Sequence, residues 1–188
     1  MNLLQAFKFL DMVTEDTTGH DYQEEYEEYI IGHKDRVKQF AEWLKENLPD
    51  LFEDIDIDLF NEMIQEHDDS KFSEEEFEAY AQRFYNNGED DSLEFKESWK
   101  HHYMNNEHHP EFWLGEDMPY IYILEMICDW GSFGLVDKDK KDYSALIKYY
   151  YDEAQNNLEK NLSDNTKIII ESILDKIKKV INIEDGED

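Results

Sequence analysis

The chain has 188 residues, which predicts one domain at the usual scale of roughly 150 residues each. Forty-eight Asp and Glu against 18 Lys and Arg give a net charge of −30, a field that repels phosphate backbones and anionic lipid surfaces. That excludes extended nucleic acid and membrane as partners, while 12 Tyr, 11 Phe and 4 Trp supply the core material that a disordered chain lacks.

Seven Gly and three Pro leave few turns, which favours long helices over an all-β design. The single cysteine, Cys128, rules out an internal disulfide and fits a reducing compartment. The opening residues, Met1 to Lys8, read as no signal peptide, and no apolar run reaches the ~20 residues of a membrane span. A cytoplasmic protein is expected.

Taken in chain order, the first helix shows Tyr22, Tyr26, Tyr29, Ile30, His33, Val37, Phe40, Ala41, Leu44 and Leu48 on one face, and Pro49 ends it. A second begins at an Asp56 or Asp58 cap and is expected to bury Ile57, Phe60, Met63 and Ile64 before running into His67-Asp68. Ser73 with Glu76 reads as a capping box ahead of Phe77, Tyr80, Ala81 and Phe84, and Asn86-Asn87-Gly88 stops that third helix. A fourth follows Asp91-Ser92, with Phe95, Ser98, Trp99 and His102 on one side and His101 facing away. Tyr103 to Asp117 breaks the pattern and is expected to be an ordered loop.

Pro119 suits the first turn of a fifth helix, and from Met118 to Trp130 only Glu125 and Asp129 are charged, which marks it as central. Two more helices are expected, over Tyr143 to Leu158 and from a Ser163 or Asp164 cap to about Ile181. The expectation is an all-α single domain over residues 1–188, a bundle of about seven helices. The tails, Met1–Asp21 and Ile183–Asp188, carry no chemical signal, and neither does His20.

The histidines carry the chemistry. A lone His on an apolar stripe, as at His33, is either a satisfied core residue or a ligand. His67 lies three after Ile64 with Asp68 beside it, and His102 lies three after Trp99. Asp129 sits on the most apolar helix, where a buried carboxylate needs a cationic partner. Three His and two Asp on inward faces of four helices are the donor set of a divalent transition metal. The residues alone leave open whether they converge.

The order His33, His67-Asp68, Asp129 resembles the signature of the HD-domain metal-dependent phosphohydrolases, over roughly residues 22–155. His67-Asp68-Asp69-Ser70-Lys71 is similar to the form found in HD-GYP cyclic-dinucleotide phosphodiesterases, and His108-His109 to their double-histidine stretch. Here His102 and His108 are six positions apart, and a Gly-Tyr-Pro motif is missing. A narrower resemblance joins His67-Asp68 with Ser70-Lys71-Phe72, Phe95 with Ser98-Trp99 and His102, Asn106 with His108-His109, Met118-Pro119, and Glu125-Met126-Ile127-Cys128-Asp129-Trp130. Together these look like a bacterial and phage family that carries only a domain-of-unknown-function label.

The HD resemblance implies an all-helical fold with one or two divalent ions (Mn, Fe, Co or Zn). His33, His67, Asp68 and Asp129 would hold one ion, and His102 with His108 or His109 a second, bridged by Asp68. It implies a metal-bound hydroxide attacking a small phosphorylated substrate, a nucleotide monoester or cyclic phosphodiester. Asp68 would orient the water and Lys71 stabilise developing charge. Lys71 is otherwise a surface lysine beside Glu74-Glu75-Glu76, and Ser70 either binds phosphate or shapes the turn.

Glu125 either fixes the tautomer of a ligand His or pairs with a lysine. Asn105 and Asn106 either bind substrate or terminate a helix. Trp113 and Trp130 stack on a base or belong to the core, and Cys128 packs. Two other readings stay open: a di-iron oxygenase on the same scaffold, and a non-catalytic acidic binding or inhibitor protein, which the −30 charge suits. Oligomeric state is not readable.

Overall fold

A computed structural model describes residues 21–88, 92–154 and 161–184. Among them the chain is all-helical, with eight α-helices joined by turns and short 3₁₀ segments, and without strands. Asp91, His20, the tail residues up to Gly19 and from Asp185 on, and the expected helix end at residues 155–158 lie outside the described residues.

The first helix, α1 (Tyr22–Asn47), starts where the Asp21 carboxylate accepts from the Gln23 backbone N–H. It ends at Leu48, and Pro49 opens a 3₁₀ turn over Pro49–Phe52. Next, α2 (Ile57–Glu66) is capped by Asp56, whose carboxylate accepts from the N–H groups of Asp58 and Leu59. Phe60 and Ile64 go inside, but Ile57 is 39% exposed, contrary to expectation. It occupies the first turn, where the chain is still entering from solvent. A 3₁₀ turn over Asp69–Phe72 then leads to α3 (Phe77–Tyr85).

The capping box expected there does not form. No side chain caps α3, the Ser73 hydroxyl is buried without a partner, and Glu76 turns inward to histidines of α4. Two imidazoles hold the carboxylate more strongly than one backbone N–H would. In α4 (Leu93–Asn105), the Ser92 hydroxyl accepts from the Phe95 N–H at 3.1 Å. The expected loop contains a one-turn helix, α5 (Pro110–Trp113), closed by Leu114 in the left-handed region.

Central α6 (Tyr120–Ser132) buries every residue from Ile123 to Cys128. Its crossing with α1 is close because residue 131 is glycine: a Cβ there would run into the Phe40 ring. That contact draws His33 and Asp129 together from two helices. Beyond it, α7 (Ala145–Tyr149) passes into a π-turn at Tyr150–Ala154, where an unbroken helix was expected. The last helix, α8 (Asp164–Glu184), is preceded by Ser163, whose hydroxyl accepts from the Thr166 N–H.

Two apolar clusters flank the middle of α1. The larger joins Val37, Phe40 and Leu44 to Phe60, Ile123, Ile127, Ile170 and Leu174. The smaller joins Tyr26 and Ile30 to Tyr80, Ala81 and Phe95. Trp130 belongs to the larger cluster and Trp113 packs on its edge, so both indoles serve the core. No helix among the described residues is long and apolar enough to cross a membrane.

Candidate metal centre

Between the two clusters lies a buried group of imidazoles and carboxylates. α1 supplies His33, the C-terminus of α2 supplies His67, and α6 supplies Asp129 with Glu125 one turn earlier. α4 supplies His102, and the connection to α5 supplies both His108 and His109. Asp68 sits in the middle. Its backbone is left-handed (φ 59°, ψ 19°), a conformation that costs a non-glycine residue about 1–2 kcal/mol and that Asp tolerates better than most. The sharp turn between α2 and the 3₁₀ segment aims the carboxylate inward.

The two Asp68 oxygens face different histidines. Oδ2 lies 3.4 Å from His33 Nε2 and 3.5 Å from His67 Nε2. Asp129 Oδ1 completes that group, 3.1 Å from His33 Nε2 and 3.7 Å from His67 Nε2. Oδ1 of Asp68 lies 3.4 Å from His102 Nε2 and 3.6 Å from His108 Nε2, and His109 Nε2 is 2.9 Å from His102 Nε2. Nitrogen and oxygen ligands about 2.0–2.2 Å from one ion stand roughly 3.0–3.6 Å from each other, so both groups have the spacing of a ligand set.

The outer ring nitrogens are held from behind. His67 Nδ1–H donates to Glu125 Oε1 (3.0 Å), and His108 Nδ1–H donates to the same oxygen (3.2 Å). His102 Nδ1–H donates to Glu76 Oε2 (2.9 Å), while His33 Nδ1–H meets the Ser132 hydroxyl at 3.2 Å. In each neutral ring that tautomer leaves the Nε2 lone pair pointing into the centre, as metal-binding histidines require. Asp68 Oδ1 and His108 Nε2 are buried without a hydrogen-bond partner, and a shared cation would satisfy both.

Electrostatics argues the same way. Asp68, Asp129, Glu125 and Glu76 gather four carboxylates, and Lys71 is buried with its Nζ 2.5 Å from Asp68 Oδ2. Burial would lower the His67 imidazole, but Asp68, Asp129 and Glu125 outweigh it and raise it to about 10. A proton there balances the carboxylates of the first group, in the place a cation would take. Burial likewise favours a neutral Glu125 carboxyl, yet His108 and His67 pull it down to about 2. Burial keeps His102 low and His109 well below the usual imidazole range, so these two rings are neutral.

The remaining sequence candidates fall into two sets. Lys71 is inside rather than on the surface. Ser70 and Asn106 stand behind His102: Asn106 Nδ2 donates to the Ser70 hydroxyl (2.8 Å) and to the His102 carbonyl (2.7 Å). Asn105 stays outside, exposed, donating to the His101 carbonyl and so ending α4. His101 is half-buried and donates to Glu76 Oε1. Sequence reasoning missed Glu76 and Ser132. Ser132 lies three residues after Asp129, on the same face of an otherwise apolar helix, and that spacing was the available signal.

Asp129 is the most open donor, with its side chain 14% exposed, against 2% or less for His33, His67, Asp68, His102 and His108. Asp129 is therefore the donor nearest to solvent. A separate groove between α3 and α4, about 710 Å³, is rimmed by Glu74, Glu75, Glu78, Glu94 and Glu97 and disfavours anions.

No curated protein and no solved structure matches the chain. A family model does, over residues 22–176, which takes in every donor described above. The chain belongs to the family of unknown function DUF5662.

Proposed function

We propose that the protein is a metal-dependent phosphohydrolase of the HD type, acting on a nucleotide phosphomonoester or a cyclic nucleotide phosphodiester with one or two divalent ions. The observation that carries this reading is the division of Asp68: one oxygen faces His33 and His67, the other His102 and His108. A single carboxylate between two sets of inward Nε2 atoms suits a pair of ions. Imidazole and carboxylate together suit Mn, Fe, Co or Zn.

A bound divalent pair supplies an activated water at neutral pH and positive charge for phosphate oxygens. The protein's own groups prepare the place. Asp68 and Asp129 bring anionic oxygens to the ions, while Glu125, Glu76 and Ser132 keep the rings turned with Nε2 inward. Lys71 sets a fixed positive charge against Asp68, within reach of the same space. Local cations are needed because the whole protein repels anions.

The test is release of phosphate, or opening of the cyclic ester, from a panel of nucleoside monophosphates and cyclic nucleotides by manganese-loaded protein. Turnover that falls at least a hundredfold in both His67→Ala and Asp68→Ala is expected. A panel left intact over hours, or hydrolysis indifferent to both substitutions, would contradict the reading. Dioxygen uptake by iron-loaded protein without phosphate release would move the chemistry to oxidation on the same residues.

A further inference from the structure

Native proteins leave few buried polar atoms unpaired, and here two belong to the centre and two to aromatic rings stacked next to it. Asp68 Oδ1 and His108 Nε2 are electron-pair donors, which cations would satisfy. The Tyr26 and Tyr80 hydroxyls are also buried without a hydrogen-bond partner, in side chains only 1% and 4% exposed. A phenol hydroxyl needs an acceptor for its proton, and a metal ion is not one.

Their rings form part of a wall across the centre. Tyr29 lies nearly parallel to His33, with centroids 6.1 Å apart. Tyr26 lies nearly parallel to Tyr29 at 6.5 Å and to Tyr80 at 6.1 Å. Tyr80 meets His102 edge-on at 5.9 Å. The wall thus runs from a histidine of the first group to a histidine of the second. Both phenols feel the negative charge of Asp68 and Glu76, and burial, with those charges, pushes both well above the usual phenol range. They stay protonated donors at neutral pH.

We propose that the Tyr26 and Tyr80 hydroxyls bind the phosphoryl oxygens of the substrate, as two neutral donors that complete an oxyanion site beside the ions. This rests on the phosphohydrolase reading and adds to it the groups that hold the substrate. The composition fits. Arg36 and Arg83 are the only arginines, so guanidinium clamps are scarce, and uncharged donors can grip an oxyanion without competing with the ions for carboxylates. Both rings are already fixed by stacking, so little order is lost on binding.

The test is titration of manganese-loaded protein with inorganic phosphate, comparing wild type with Tyr26→Phe, Tyr80→Phe and the double variant. Phenylalanine keeps the stacked ring and removes only the oxygen. Tyr143→Phe, whose ring packs on Trp43 in the larger core, serves as the remote control. Each single substitution is expected to weaken phosphate binding about tenfold or more, with manganese content and melting temperature held. The control is expected to bind as wild type does. Unchanged phosphate affinity with manganese retained would overturn this inference, leaving the hydroxyls to buried water and the phosphohydrolase reading intact. Loss of manganese together with the hydroxyl would also overturn it, by making the tyrosines part of the centre's framework. No phosphate binding by loaded wild type would overturn both readings.

Discussion

The two halves of α1 do different work. Its C-terminal half packs Val37, Phe40, Ala41 and Leu44 into a largely aliphatic core with α6 and α8. Its N-terminal half packs Tyr26 and Ile30 into a smaller, aromatic cluster with α3 and α4, where polar tips remain inside. His33 lies at the seam. A group of four carboxylates costs stability unless it is compensated, so the aliphatic half must hold the helices in place while the aromatic half lines the site. The difference teaches that close apolar packing and buried polar groups are assigned to separate stretches of one helix.

Truncation in the aliphatic half tests that division most severely. Leu44→Ala should cost about 2–5 kcal/mol in urea unfolding, while the folded fraction retains its metal. Tyr26→Phe should leave unfolding nearly unchanged. Equal losses in the two halves would erase the contrast.

A smaller effect separates the two ligand groups. Glu125 accepts from His67 and His108, one in each group, whereas Glu76 accepts from His102. Glu125→Gln should weaken both ions about 10- to 100-fold, and Glu76→Gln only the second, by competition with a metal-sensitive dye. The smallest effect belongs to Ser132, a neutral partner of His33. Ser132→Ala should weaken only the first ion, by less than tenfold, in the same assay.

Much of this was legible in the sequence. Helical spacing placed His33, His67, His102 and Asp129 on inward faces, because a 3.6-residue period fixes direction within one helix. What lay between helices was not legible. His108 and His109 sit in a connection without a period, and the structure brings both rings in where one was expected. Glu76 matched a capping pattern three residues after Ser73, and only the packing of α4 against it reveals the stronger partners. Ser132 escaped because an uncharged hydroxyl on an apolar helix looks like a spacer. The Tyr26 and Tyr80 hydroxyls escaped because sequence shows an aromatic stripe and not where its polar tips end.

The central claim is that Asp68 joins two ligand groups. The most direct test is metal content per chain, measured by elemental analysis on tag-free protein reconstituted with manganese. Wild type, His33→Ala, His102→Ala and Asp68→Ala would be compared. Two equivalents are expected in wild type, one in each histidine variant, and neither held tightly in Asp68→Ala. A single equivalent in wild type that either histidine variant abolishes, or no metal in wild type, would contradict that claim.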